Sequence, residues 1–281
     1  MKQELVRGMM VLLVVGALLG VGAASAQMGG VVEPIGTEGS VDWTKGVVMA
    51  TGFGAPPASA VNAAQARAMA ERAAFLVATR NLLEVVKGIR VDSATLVENM
   101  MVTSDVIKTE VSGFVQGAQI VKKQVSPDGS VQVTVAMKIN GDFSNAFLPQ
   151  SSGGPEVTPL PQGQAPPSTA FTGLIVDARG TGVRPAVAPK IRNEEGREVY
   201  GSAFVNRQYA VEQGMVGYLK DVESAKGNPR VTDRPLLVKA LKTDGPNKTD
   251  LVISNSDAQV LHGMKEHLTF LEKARVMVIL D

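Results

Sequence analysis

Apolar and polar positions alternate in some segments of the chain and recur at helical spacing in others. Residues 131 to 139 alternate valines with polar side chains, which predicts a strand with one buried and one exposed face. Residues 41 to 53 are rich in β-branched and aromatic residues and predict an earlier strand. The segment Ser126-Pro127-Asp128-Gly129 predicts a turn that joins a strand at about 114 to 125 to the alternating one.

Between these strands the pattern is helical. Residues 63 to 87 predict a long helix that is capped by Ser59 or Asn62 and ended by Gly88 in a left-handed conformation. A weaker helical pattern covers residues 95 to 111.

The long predicted helix is unusually rich in alanine. Its alanines leave one face thin enough to approach a sheet closely, and they are Ala63, Ala64, Ala66, Ala68, Ala70, Ala73, Ala74 and Ala78. We expect core volume from Leu76, Leu83 and Val86. Packing on the chain's own sheet is the favoured interpretation, and a groove for a partner helix is the alternative.

The second half of the chain alternates short strands and helices. Residues 173 to 178 form a continuous apolar run typical of a strand that is buried on both faces. The further predicted elements are a hairpin (187 to 192 and 197 to 200), strands at 236 to 241 and 251 to 254, a helix from Ser256 to about 274, and a last strand at 276 to 280. This alternation predicts a mixed α/β layer fold.

Segments rich in proline and glycine divide the chain. Residues 149 to 169 contain six prolines and three glycines and predict an extended linker. Residues 27 to 40 predict a flexible lead-in. The fold class is therefore α+β or mixed α/β, with two small modules at 41 to 148 and 170 to 281, each with its own core. The first is a short sheet packed on the long alanine-rich helix.

The N-terminus has the layout of a secretory signal peptide at residues 1 to 26. Lys2 and Arg7 precede an apolar run from 9 to 19, and Ala24-Ser25-Ala26 offers a cleavage site before Gln27. An uncleaved membrane anchor is the alternative, since small and apolar residues continue through Ala26. Cleavage is the favoured interpretation, and we expect an exported protein in the periplasm or on the periplasmic side of the outer membrane.

Composition restricts how such a protein attaches and what it binds. The chain has no cysteine, so it has no disulfide and no lipid-bearing cysteine, and we expect protein contacts to hold it in the envelope. Without residues 1 to 26 it carries 26 basic and 26 acidic side chains. This balance is unfavourable for a nucleic-acid partner, which usually needs a strongly basic surface.

Several of these segments resemble the Lpp-twenty lipoprotein family, together with the related N-terminal module of FlgT and the disk protein FlgP. They are GVVMATGFGAPP (46 to 57), AAQARAMAERAAFLVATRNLLEVVKGI (63 to 89), VDSAT (91 to 95) and SGFVQGAQIVKKQVSPDGSVQVTVAMKI (112 to 139). The resemblance covers about residues 41 to 140. It implies a small α/β module in the periplasm or at the outer membrane, in a group whose members build rings, disks or surface assemblies. The motif's glycines and alanines imply structural roles, and the absent acylated cysteine departs from the lipoprotein members.

Candidate chemistry is sparse. Asp177 and Arg179 stand at a predicted strand end beside Gly180 and Gly182, where open α/β sheets often bind ligands, and Arg184 follows. The spacing matches neither GxxxxGK[ST] nor GxGxxG. A structural salt bridge is the favoured interpretation, and a ligand site is the alternative.

The two histidines offer no metal or catalytic pattern. His262 and His267 are five residues apart, which turns them about 140° from each other around a helix. Neither HExxH nor GxSxG occurs, and we expect ordinary roles on the helix surface. The sequence predicts no enzyme, catalytic residue, cofactor or metal.

Aromatic residues are few, so a carbohydrate-stacking platform is not expected. Trp43, the only tryptophan, is predicted to seat the first strand, with an interface role as the alternative. Contact through strand edges and aliphatic patches is the expected binding mode.

The leading hypothesis is thus a non-enzymatic envelope structural or assembly protein, such as a flagellar ring component, with protein partners that include itself. The alternative is a periplasmic module that binds a small ligand or cell-wall fragment near Asp177 and Arg179.

Overall fold

The computed structural model describes residues 30 to 148, called the first part below, and residues 170 to 281, called the second part. The fold is mixed α+β, as predicted, with thirteen strands and eight helices in these two ranges. The predicted signal peptide (1 to 26) and the predicted linker (149 to 169) lie outside the described residues. No helix within either part is long and apolar enough to span a membrane.

The first part is built on a five-stranded sheet in which all neighbours are antiparallel, in the order β1-β2-β3-β5-β4. Its strands are β1 (Val32–Ile35), β2 (Gly39–Asp42), β3 (Val47–Gly54), β4 (Gln119–Val125) and β5 (Val131–Lys138). The prediction of a flexible lead-in at residues 27 to 40 is therefore wrong for its described portion. β1 and β2 form a hairpin there, turned at Gly36 with a φ of 68°.

Helix α1 (Ala63–Lys87) packs on this sheet at very short range. A methyl group at Gly52 of β3 would lie 2.1 Å from the backbone nitrogen of Ala78, and one at Gly54 would lie 2.1 Å from the carbonyl oxygen of Ala70. Glycine on the strand and alanine on the helix are thus both required, because any larger pair would separate the two elements. The predicted close approach on the chain's own sheet is confirmed.

Details of α1 differ from the expectation. Asn62 is the N-cap, and its side chain accepts a hydrogen bond from the backbone of Gln65 at 2.9 Å. Gly88 ends the helix with a φ of −77°, so the predicted left-handed stop is wrong. Leu76 is exposed, whereas Leu82 and Val85 are buried, because the buried stripe continues the line of the alanines.

The weaker helical segment is two helices, α2 (Val97–Thr103) and α3 (Asp105–Gln116). The chain is extended at Ser104, whose side chain accepts a hydrogen bond from the backbone of Ile107 and caps α3. α3 continues past the predicted strand start at 114, because Val111 and Val115 are buried four residues apart. A short helix, α4 (Asp142–Phe147), follows the sheet.

The second part holds two four-stranded sheets. Its strands are β6 (Gly173–Asp177), β7 (Ile191–Asn193), β8 (Glu198–Tyr200), β9 (Gly217–Leu219), β10 (Pro235–Lys239), β11 (Lys242–Asp244), β12 (Asp250–Ile253) and β13 (Val276–Ile279). Its helices are α5 (Arg207–Gln213), α6 (Val222–Lys226), α7 (Asn255–His262) and α8 (Lys265–Glu272). The sheet β10-β6-β13-β9 is parallel throughout, and the sheet β11-β12-β7-β8 is mixed.

Most predicted elements of the second part are present. The buried strand at 173 to 178, the hairpin around residues 193 to 196 and the closing strand are confirmed. The predicted long helix is interrupted between α7 and α8, and Ser254 rather than Ser256 caps it. The sequence did not predict β9, β11, α5 and α6, since each is too short to show a helical or strand period.

The two parts share one core. Their buried side chains form a continuous cluster, which differs from the expectation of two cores. Main-chain hydrogen bonds also join them: Val187 and Ala188 donate to the carbonyls of Arg90 and Val91 at 3.0 and 2.7 Å. The described residues therefore behave as one packed body, whose domain boundaries stay a prediction.

Candidate functional site

Asp177 ends β6 at the carboxyl edge of the parallel sheet, as predicted. Its carboxylate accepts hydrogen bonds from Nε and Nη2 of Arg179 at 2.8 and 2.7 Å, a bidentate ion pair. The hydrogen bond from Arg179 holds the pKa of the Asp177 carboxyl below its ordinary value, against a smaller opposing effect of burial. The favoured salt bridge is present, and each charge is already matched by the other.

The turn that contains Gly180 and Gly182, just beyond this pair, is also hydrogen-bonded within the chain. Gly180 and Gly182 both have positive φ, at 78° and 69°. The backbone N–H of Gly180 donates to the side-chain carboxylate of Asp281 at 3.0 Å. The amide that a bound anion would use is therefore engaged by the chain itself, and a ligand at this edge stays a prediction.

Arg184 and Trp43, the other two predicted site residues, converge on Glu33 of β1. The Trp43 indole N–H donates to Oε2 of Glu33 at 3.1 Å, and Nη2 of Arg184 donates to Oε1 at 3.0 Å. Nη2 of Arg90 also donates to Oε2. One carboxylate from the first part thus binds groups from both parts.

The electrostatics of this cluster follow from its partial burial. Burial alone would raise the pKa of the Glu33 carboxyl. Hydrogen bonds from Arg90, Arg184 and Trp43, together with the positive charge of Arg90, outweigh this effect and bring the pKa below its ordinary value. Arg90 is itself buried, and its Nε donates to the carbonyl of Pro185 at 2.8 Å. Glu33 and Arg90 were missed, although an arginine between Ile89 and Val91 is a recognisable sign of a buried, paired charge.

Tyr218 of β9 completes the junction between the parts. Its ring meets Trp43 edge to face with centroids 5.8 Å apart, and its carbonyl accepts a hydrogen bond from the Thr44 hydroxyl at 2.8 Å. The Tyr218 hydroxyl donates to the carbonyl of Ala186 and accepts from the Ala186 amide, at 2.9 and 3.0 Å. Burial raises the pKa of this phenol. The single strand predicted at 41 to 53 is wrong, because a turn at residues 43 to 46 separates β2 from β3. Trp43 lies in that turn rather than in a strand, and it helps to fasten the two parts together.

The histidines are not on the helix surface, so that prediction is wrong. Nε2 of His262 lies 2.9 Å from the Val199 carbonyl, and Nδ1 of His267 lies 2.8 Å from the Val260 carbonyl. Nε2 of His267 accepts from the Phe171 amide at 3.1 Å. Both rings are buried because α7 and α8 turn them inward, each onto a carbonyl. Within residues 30 to 148 and 170 to 281, no cluster of three or more acidic, histidine or cysteine side chains could hold a metal ion.

Arg230 is a further polar residue that the sequence did not single out. Its guanidinium donates to three main-chain carbonyls, those of Ala274, Gln213 and Gly214, at 2.8, 2.9 and 2.5 Å. Burial lowers its pKa. A planar guanidinium that donates to all three carbonyls stabilises the end of α5 and the loops beside it.

Exposed apolar side chains are concentrated in the first part. Of twelve large hydrophobic side chains that are exposed within the described ranges, ten lie between residues 30 and 148. Val102 and Val106, at the break between α2 and α3, are 82% and 67% exposed. The second part contributes Leu237 and Leu241. Exposed apolar groups that form a contiguous patch are typical of contact surfaces.

Strand β4 is an open edge of the first sheet, but it carries protective features. Among the described strands it pairs with β5 alone, and it exposes Ile120, Val121 and Val125. A bulge interrupts its register at Val121, and Lys122 and Lys123 sit at its centre. Bulges and lysines are the usual protection against edge-to-edge pairing. An open groove of about 710 Å³, lined largely by apolar groups, adjoins Val121.

Two helical surfaces combine apolar and charged side chains. The arginine face is the outward stripe of α1, formed by Met69, Arg72, Leu76 and Arg80, all exposed. The acidic face is formed by α2 and α3 through Glu98, Val102, Val106 and Glu110, which are also exposed. Neither face was predicted, because a helical period shows which residues share a side but not which side is covered.

Comparison with known proteins covers the second part. Residues 173 to 281 match the family model described as Treponema pallidum Tp0624, second domain. The match begins with β6 and includes both sheets of the second part. No curated protein matches the chain. The resemblance of residues 41 to 140 to the Lpp-twenty family stays a prediction.

Proposed function

We propose that this chain is a non-enzymatic structural or assembly protein of the bacterial envelope that acts through protein contacts made by its first part. The observation that carries the proposal is the concentration of exposed large hydrophobic side chains between residues 30 and 148. A surface of this kind is unfavourable in water, and a partner relieves it.

The polar residues support the same function. The Asp177 and Arg179 pair, the Glu33 cluster and both histidines each have partners within the chain, and those partners join strands, loops or the two parts. These groups stabilise a rigid body. Rigidity suits a building unit, because contacts on a preorganised surface lose less conformational entropy on binding.

The location in the proposal rests on the sequence. Residues 1 to 26 have the layout of an export signal, and a chain without cysteine lacks the lipid attachment point of a lipoprotein. The resemblance of residues 41 to 140 favours a ring or similar assembly, flagellar or other. Fractionation of cells that express the full chain should recover it in the periplasm or with the outer membrane; recovery in the cytoplasm contradicts the location.

Site-specific photocrosslinking in cells tests the contact function directly. A photoreactive residue in place of Met69, Val106 or Val121 should give discrete protein adducts, because these positions lie in the exposed apolar surface. Leu241 is the matched control, since it is 52% exposed in the second part. Adducts at Leu241 equal to those at the three test positions, or no adduct at any of them, contradict the proposal.

A further inference from the structure

The arginine face has an arrangement suited to an acidic partner. Met69 and Leu76 are two helical turns apart on one line of α1, and Arg72 and Arg80 flank them at spacings of three or four residues. From Met69 to Arg80 the stripe is about 16 Å long at the rise of an α-helix. It is long enough to contact one or two helices of a partner.

The charges of this face are not neutralised within the chain. The two carboxylates of α1 are engaged elsewhere, Glu71 with Lys123 at 3.0 Å and Glu84 with Lys87 at 2.8 Å. No ion pair within residues 30 to 148 and 170 to 281 involves Arg72 or Arg80. Leu76 is 57% exposed between them, so the arginine stems do not cover it.

The acidic face has the opposite charge and a similar apolar content. Glu98 lies in the first turn of α2, where it also stabilises the helix dipole. Glu110 lies beyond the first turn of α3, outside the reach of that effect. Neither Glu98 nor Glu110 has an ion pair within the described residues, and Val102 and Val106 lie beside them.

We propose that the arginine face of one copy of this chain binds the acidic face of a second copy. Arg72 and Arg80 pair with Glu98 and Glu110, while the exposed methionine and leucine pack against the two valines. Opposite charges around a small apolar centre are the composition of specific interfaces. This inference rests on the proposed function and names its partner.

The same contact allows two assemblies. In a twofold dimer each copy gives its arginine face and its acidic face to the other, so the contact occurs twice. In a head-to-tail arrangement each copy binds one neighbour through its arginine face and another through its acidic face, which produces a ring or an open filament. Both depend on the same side chains. The open edge of β4 is not part of this contact. If two copies paired antiparallel along β4 with Lys122 at the centre, the Lys122 side chains of the two copies would lie opposite each other and repel.

Charge reversal on each face tests the contact. One variant carries Arg72→Glu and Arg80→Glu, and the other carries Glu98→Arg and Glu110→Arg, each in the full chain. Sedimentation velocity at low salt should show self-association of the unaltered chain, weakened on the order of tenfold or more in each variant by like-charge contact. An equimolar mixture of the two variants should associate again, because reversed faces are complementary to each other.

Matched controls separate this contact from a change in net charge or in folding. Lys220→Glu with Lys242→Glu makes the same change in charge at exposed positions of the second part, and Asp233→Arg with Glu266→Arg controls for the acidic face. Both controls should associate like the unaltered chain. Thermal unfolding of all four variants checks that they are folded.

The outcomes are distinct from those of the crosslinking experiment. Self-association that persists in both reversed variants overturns the arginine-to-acidic contact but leaves the proposed function in place. A monomeric unaltered chain at low salt, or a mixture that fails to associate, also overturns it. Absence of adducts from the first part contradicts the proposed function itself.

Discussion

The indole of Trp43 and the phenol of Tyr218 stand edge to face, 5.8 Å apart between ring centroids, and each belongs to a different part of the chain. The Tyr218 carbonyl also accepts the Thr44 hydroxyl at 2.8 Å, which fixes β9 against the turn that follows β2. This junction joins two sheets that share no strand. The two parts should consequently unfold together rather than one after the other.

Replacing Tyr218 with Leu removes the edge-to-face contact and leaves the Ala186 amide and carbonyl without a partner. We expect a loss of about 3 kcal/mol in the free energy of unfolding. Urea unfolding followed by tryptophan fluorescence and by far-UV circular dichroism should give coincident transitions in the unaltered chain, because Trp43 reports on the junction. Two separated transitions in that chain would show that the parts are independent.

A pair of glycine substitutions tests the close packing of α1. Gly52→Ala places a methyl group 2.1 Å from the Ala78 nitrogen, so the helix must move away from the sheet, and we expect destabilisation of about 3 kcal/mol or more. Gly113→Ala is the control, since a methyl group there meets nothing within 4 Å. In helix α3 this control should stabilise by roughly 0.5 to 1 kcal/mol. Thermal unfolding measures the change in stability for both substitutions. A change in the same direction for Gly52→Ala and Gly113→Ala would contradict the packing argument.

Glu33→Gln tests the carboxylate that binds both parts. At neutral pH we expect a loss of about 3 kcal/mol, because the buried Arg90 loses its charged partner. The pKa of Glu33 is lowered by folding, so its stabilisation is complete above the ordinary glutamate pKa and is lost as the pH falls through the folded value.

The difference in unfolding free energy between the unaltered chain and Glu33→Gln should therefore shrink between pH 7 and pH 3.5. Urea unfolding at the two pH values measures it. A difference that stays constant would show that the ionised carboxylate of Glu33 does not stabilise the junction.

His262 predicts a second effect at higher pH. Burial lowers the pKa of its imidazole below 6.5, and its Nδ1 has no partner within the described residues. Below the ordinary histidine pKa the unfolded chain binds a proton at His262 that the folded chain does not. The free energy of unfolding is therefore largest above that pKa and falls as the pH drops below it. Between pH 7.5 and 5.5 this loss is at most about 1.4 kcal/mol, the limit set by the ordinary histidine pKa of the unfolded chain.

His262→Gln removes this titration while its side-chain amide keeps a donor for the Val199 carbonyl. The variant should be less sensitive than the unaltered chain to the change from pH 7.5 to 5.5 in thermal unfolding. An unchanged pH profile in the variant would assign the effect to other groups.

Local pattern explains which elements were predictable. Val131, Val133 and Val135 alternate and are all buried, and the Pro127-Asp128-Gly129 turn has the positive φ at Gly129 that such a turn requires. The alanine-rich side of α1 correctly indicated a close approach to a sheet. Leu76 was assigned to the core on size alone, but its direction on the helix turns it to solvent.

The junction could not be predicted, because its partners are far apart along the chain. Glu33 meets Arg184 across 151 residues, and no local period relates them. The inward turn of His262 and His267 likewise depends on how α7 and α8 sit against β8 and the start of the second part. Of the predicted site residues, Asp177 and Arg179 are adjacent and were paired correctly, whereas Arg184 and Trp43 belong to a different cluster.

The shared core has a consequence for the peptide that connects residues 148 and 170. Trp43, Glu33 and Arg90 already hold the two parts together by direct contact, so the connecting peptide contributes by keeping the effective concentration of one part near the other high. A protease cut in this peptide would make the contact between the parts bimolecular, but it would remove none of the buried side-chain pairs that form the contact. The two fragments would then form a noncovalent heterodimer whose lifetime depends on the same junction.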